Sequence, residues 1–278
     1  MRGRKQRSAI DAVLNLVHDV QMTKSRENTL TCLLLNVKDV FDHVTLKQLI
    51  KILIKQKILI NLINRVKCFL QNWVIDLAFN EECQKSKKIS TEILQESSIS
   101  LILFLIYIRH LFLKIRARIE NLQSLSYIDD VTLYIEEKSI DKNVKKLKKT
   151  TKIAFTWANE NAVQFNNSKF ELIHFESYKA TLNQTIMLLN DTVVKSKICI
   201  QWLEVWLNWK LNFKMHVQIK IIAVTRMLHS LFKLMNSEWE LNMKSERQLY
   251  LFFFFIKCMQ SMTITLFRRC VYSKLHVI

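Results

Sequence analysis

Two adjacent aspartates, Asp129 and Asp130, stand at the centre of SYIDDVTLY, residues 126–134. Tyr127, Ile128, Val131, Leu133 and Tyr134 around them are β-formers, so the spacing predicts strand, turn, strand, with the acids at the hairpin tip. Like charges so close repel and raise each other's pKa. A divalent cation relieves that repulsion, and Mg2+ suits the pair, being a hard ion that takes one or two carboxylates together with substrate phosphates. A solvated turn is the alternative, because aspartate is a common turn former. What favours a site is a second apolar run that also ends in a polar, acid-rich tip, LTCLLLNVKDVFDHV, residues 30–44.

The elements that must carry these tips follow from periodicity. Residues 31–37 form an apolar run broken by Asn36 near its end, which fits a central strand covered on both faces. Upstream, Ile10, Val13, Leu14 and Val17 keep helical spacing behind a Ser8/Asp11 cap. Downstream, Thr45 caps a helix carrying Leu46, Leu49, Ile50 and Leu53, and Asn61 starts another with Ile63, Val66, Phe69, Leu70 and Trp73. Short strands at 74–79 and 88–93 flank the polar hairpin EECQKSKK, a buried helix spans 95–112, and residues 114–120, KIRARIE, form a basic connector. After the acid hairpin comes a lysine-rich helix at 140–157, which either lies along a phosphate backbone or is simply an exposed face. Strands at 171–175, 181–189 and 199–207 follow, with Asn190 and Asp191 as a turn. Helices run from 211 to about 235 and from 246 to 258, so the fold class is α+β with a helical C-terminal lobe.

The formal net charge of +18 points to a polyanionic partner, nucleic acid first. Gly3 is the only glycine and proline is absent, where average usage gives roughly 19 and 14. Gly and Pro codons begin with GG and CC, so C-to-T and G-to-A transitions remove both and enrich Glu, Asp, Ser, Leu, Lys, Asn and Ile. The six cysteines show no paired spacing and are expected as buried, reduced thiols of an intracellular protein, nuclear or cytoplasmic. No apolar core follows Met1 as a signal peptide would require, and the apolar runs at 99–108 and 249–256 are too short to span a bilayer.

Taken together, GRKQRSAIDAV from Gly3, LLLNVKDVFDHV, STEILQESSISLILFLIYI, SYIDDVTLY, TWANENAVQFNNSKFELIHF and WLEVWLNWKLNFKMHV resemble, in order and spacing, the reverse transcriptase domain of non-LTR, LINE-like retrotransposons. The resemblance implies a right-hand polymerase fold: partial fingers in residues 1–28, palm with fingers elements in 29–210, and a partial helical thumb in 211–278. It implies RNA-directed DNA synthesis on an RNA template with a DNA primer and deoxynucleoside triphosphates, through three carboxylates and two Mg2+ ions. Asp129 and Asp130 match two of the carboxylates, and Asn36 stands where the third is expected. Phe41 matches the steric gate under the sugar, Gln95 the glutamine of the nucleotide pocket, Tyr127 the aromatic before the acid pair, and Lys169 the lysine that protonates pyrophosphate.

The departures form a set. The family pattern has Asp at Asn36, Gly at Asp39, Glu92, Glu96 and Glu204, Ala at Val40, and Pro at Leu94, Ser98 and Leu101. Each change is a single C-to-T or G-to-A transition, as the composition predicts. The expectation is therefore a mutated copy, inactive or severely impaired, that lacks upstream fingers and an endonuclease. Two alternatives differ in class: a non-catalytic nucleic-acid-binding remnant, or a relic without function.

Overall fold

The computed structural model describes residues 8–38, 44–71, 97–176 and 193–235, with short backbone segments at 73–75, 78–79, 82–83, 87–89, 185–187 and 247–248. The N-terminal helix α1 (Ala9–Ser25) begins at the predicted capping box: the Ser8 N–H donates to Asp11 Oδ2 at 2.6 Å and the Asp11 N–H donates to Ser8 Oγ at 3.3 Å. Strand β1 (Thr29–Lys38) follows, then helices α2 (Leu46–Lys55) and α3 (Ile60–Leu70). Thr45 occupies the N-cap of α2 without a side-chain bond to the helix. Leu59, not Asn61, caps α3, and Trp73 belongs to the next strand instead of that helix.

Four short strands replace the two expected over 74–93: β2 (Trp73–Ile75) pairs with β5 (Lys87–Ile89), and β3 (Ala78–Phe79) with β4 (Glu82–Cys83). Helix α4 (Ser98–Arg116) takes in the first three residues, 114–116, of the basic stretch expected as a connector. Ile115, buried to 1% exposure, continues the apolar row Tyr107, Ile108 and Leu111 and holds the extra turn helical. The chain then forms β6 (Leu122–Tyr127), β7 (Asp130–Glu137) and α5 (Ile140–Glu160), followed by β8 (Gln164–Phe165), a 3-10 turn at Asn167–Lys169 and β9 (Glu171–Phe175). Beyond lie β10 (Thr185–Met187), β11 (Val193–Lys195), β12 (Cys199–Trp202), β13 (Val205–Asn208) and α6 (Lys214–Met235).

The single strand expected over 199–207 is a hairpin, turned at Leu203 and Glu204 with φ of 48° and 66°. Two left-handed residues in a two-residue loop match the twist of the flanking strands, which is why Asn-Gly prevails in such turns. The glycine that the family pattern places at Glu204 thus has a conformational reason.

At the centre is an antiparallel sheet in the order β6-β7-β1, with β9 on the other side of β1 and β8 pairing the end of β1. Side chains alternate across a strand, and β1 uses both faces. Leu33, Leu35 and Val37 join α2, α3, α4 and α5 in one core, with Trp157 and Tyr107 at its centre, their rings 5.8 Å apart and edge-on. Leu30, Cys32 and Leu34 join α1, Ile173, Phe175 and the β12–β13 hairpin in the other. This is the doubly covered strand that the apolar run predicts. Of the described cysteines, Cys32 is buried, as expected, but Cys68 is exposed.

Candidate functional site

Strand alternation decides which face the polar end of β1 serves. Asn36 lies on the face of Leu30, Cys32 and Leu34, past the end of the α1 packing, in register with Asp130 on β7. The two strands bearing the acids meet at a two-residue loop, since Tyr127 pairs with Asp130 and leaves Ile128 and Asp129 between them. Ile128 has φ of 55°. For a β-branched residue that is strained, at a cost of about 1–3 kcal/mol, and such strain persists where surrounding bonds hold it. Here the Val37 N–H donates to the Asp129 carbonyl at 2.8 Å, pinning the loop to β1. The Asn166 N–H donates to the Asn36 carbonyl at 2.8 Å, tying the same point to the turn that carries Lys169.

The side chains converge. Asn36 Nδ2 donates to Asp129 Oδ2 at 3.1 Å and to Asp130 Oδ1 at 3.3 Å, so its amide NH2 faces both carboxylates. Burial and the neighbouring Asp129 raise the pKa of Asp130, while the Asn36 hydrogen bond and the charge of Lys169 pull it back. Lys169 itself is exposed, on the 3-10 turn beside the pair. Tyr127 is half-buried at the end of β6. Phe170, the residue after Lys169, packs edge-on against Phe155 and Phe165, the three rings lying 5.5–6.4 Å apart.

The structure places Asn36, Asp129, Asp130, Lys169 and Tyr127 around one end of the sheet. Phe41 and Gln95 lie outside the described residues, as do Asp39, Val40, Glu92, Leu94 and Glu96. Sequence reasoning missed the backbone contributions of Ile128, Val37 and Asn166; only the exact two-residue spacing between β6 and β7 hinted at the first. It also missed His174, buried on β9 with Nδ1 2.9 Å from Thr31 Oγ1. Desolvation lowers its pKa to about 4.

Among the described residues no group of three or more His, Cys, Asp or Glu side chains is placed to hold a metal ion. The donor set does not fit a centre of two ions. It offers two carboxylates, and the third corner presents an N–H donor that a cation would have to displace and that cannot ligate it.

The antiparallel strands, the acid turn and the helices behind them have the arrangement of a polymerase palm. The chain belongs to the reverse transcriptase (RNA-dependent DNA polymerase) family, whose match covers residues 1–215. Reverse transcriptase domains generally work with divalent metal ions. A solved structure of apo telomerase from Candida tropicalis, truncated from its C-terminal domain, aligns with a TM-score of 0.50 at 15% identity, covering 73% of this chain and 39% of that one. Telomerase from the same organism in complex with a TWJ fragment of telomeric RNA aligns with a TM-score of 0.49 at 14% identity, over 73% of this chain and 32% of that one. The chain thus spans less than half the length of these neighbours, and at 15% identity the likeness to the first concerns the fold alone. Comparison with curated protein sequences finds no match. Among the described residues no helix is long and apolar enough to cross a membrane.

Proposed function

We propose that the chain is the reverse transcriptase domain of a non-LTR, LINE-like retrotransposon, by descent an RNA-directed DNA polymerase, and that it polymerises poorly or not at all. The order and spacing of the sequence motifs support the origin, and the observation that carries the impaired polymerisation is the amide of Asn36 donating to both Asp129 and Asp130. An aspartate at that position would complete a triad able to take two Mg2+ ions between primer end and triphosphate. An amide keeps the shape, neutralises nothing and fills the acceptor directions that metal binding needs. Losses in the shell around metal ligands already cost about 10–100-fold, and the loss of a ligand costs at least that. In this assignment Lys169 is the proton donor, and Tyr127, Phe41 and Gln95 border the nucleotide. RNA template, DNA primer and deoxynucleoside triphosphates are the partners.

Primer extension on an RNA template with Mg2+ tests it. The chain as it stands should incorporate no more than a control with Asp129 and Asp130 both changed to Ala. Incorporation clearly above that control overturns the inactive assignment. Asn36→Asp, alone and with Glu92 and Glu96 returned to Gly, should recover synthesis.

A further inference from the structure

The acid turn is not the only place where this chain can meet a polyanion. Helix α5 is fixed in rotation by its buried face, including Leu147, Thr150, Ala154 and Trp157. That leaves Lys142, Lys145, Lys148, Lys149 and Lys152 exposed, spread over about 15 Å at the helical rise per residue. None of them forms an ion pair among the described residues. The nearby acids are already engaged: Glu137 pairs with Lys146, and Glu136 accepts from Thr23, Arg26 and Asn28. Asp141, in the first turn of α5, is the one carboxylate on the helix beside the row, which leaves the five lysines with a net charge of about +4. No large apolar side chain of α5 is exposed, which suits a hydrated phosphate chain and gives a bilayer nothing to bury.

At the N-terminal end of the row, Lys142 lines a cavity of about 950 Å³ between α1 and the end of the sheet. Asn28, Asn121, Gln123 and Lys138 also line it, as do Asp19, Glu136 and Glu137, whose carboxylates are engaged by Tyr134, by Thr23, Arg26 and Asn28, and by Lys146. Amide side chains offer donors and acceptors together, the requirement for hydrogen bonding to the edges of an unpaired base. The cavity lies beside Leu30 and Glu136, paired in register, whereas the acid turn lies at the pair Asn36 and Asp130. Six residues of strand separate them, about 20 Å.

We propose that α5 and this cavity form a binding track for single-stranded nucleic acid, with phosphates on the lysines and a base in the cavity, separate from the polymerase cleft. The track requires no competence at Asn36, so it goes beyond the polymerase assignment and stands or falls independently of it.

The test is fluorescence anisotropy with a labelled single-stranded RNA of mixed sequence across a salt series. Changing the five exposed lysines of α5 to Gln should make the slope of log affinity against log salt shallower by about 2–3.5, since each phosphate contact on a single strand contributes about 0.7. Changing the same five to Arg should leave the slope as in the parent chain, and N121A/Q123A should weaken binding several-fold at constant slope. An unchanged slope in the Gln variant overturns the proposal. So does equal loss in the Arg variant, which would mark a structural effect, or displacement of the RNA by phosphatidylserine vesicles through the same lysines, which would mark a lipid surface.

Discussion

Changing Asn36 to Asp replaces two hydrogen bonds by two repulsions. The amide now donates over 3.1 Å and 3.3 Å to Asp129 and Asp130. A third carboxylate at those separations repels each neighbour by about 5 kcal/mol at an effective dielectric constant of 20. The groups are only half-buried, so solvent screens most of this, and the loss of hydrogen bonds to charged acceptors adds about 1.5–3 kcal/mol each. A net destabilisation of about 4 kcal/mol is expected without divalent ions, lowering the melting temperature by roughly 10 °C for a domain of this size. Mg2+ should reverse it, because an ion present at about 100 times its Kd returns about 2.7 kcal/mol to the folded state. Scanning calorimetry of both proteins, with EDTA and with millimolar Mg2+, gives the answer. The parent chain should be insensitive to the ion and Asn36→Asp strongly sensitive. Equal melting temperatures in EDTA, or a parent chain stabilised by Mg2+ as much as the variant, would refute the account of Asn36 as a neutral substitute for a ligand.

Asp130→Asn tests the same cluster from the other side. Its raised folded pKa means that ionisation costs folding stability as pH rises above the ordinary 3.8; the Asn variant should melt higher at pH 7 and lose that advantage at pH 3. His174 acts in the opposite sense: with its folded pKa near 4 against an ordinary 6.5, the unfolded chain takes up the proton first. Stability should fall by about 3 kcal/mol as pH drops from 6.5 to 4, a slope measurable by urea unfolding and flattened in His174→Gln. At the β12–β13 turn, Glu204→Gly removes a left-handed non-glycine residue at φ of 66° and should stabilise by about 1 kcal/mol, seen as a higher urea midpoint with unchanged slope.

The sequence by itself determined the acid hairpin, the doubly covered strand and the helix with its Ser8 cap, because each rests on local periodicity or on a few neighbouring residues. It also marked Asn36 as the odd polar residue in an apolar strand. It misplaced the end of α4, where Ile115 is held helical by a core that residues 114–120 alone do not reveal. It merged β12 and β13, because a turn built from Leu203 and Glu204 carries none of the chemistry by which turns are recognised. Only the tertiary structure decided the state of the site. Strands far apart in sequence had to pair, β1 with β7 in one register, before the amide of Asn36 could be seen donating to both aspartates. Register fixes which face each side chain takes, and a sequence position says which group is present but not whether it donates or accepts.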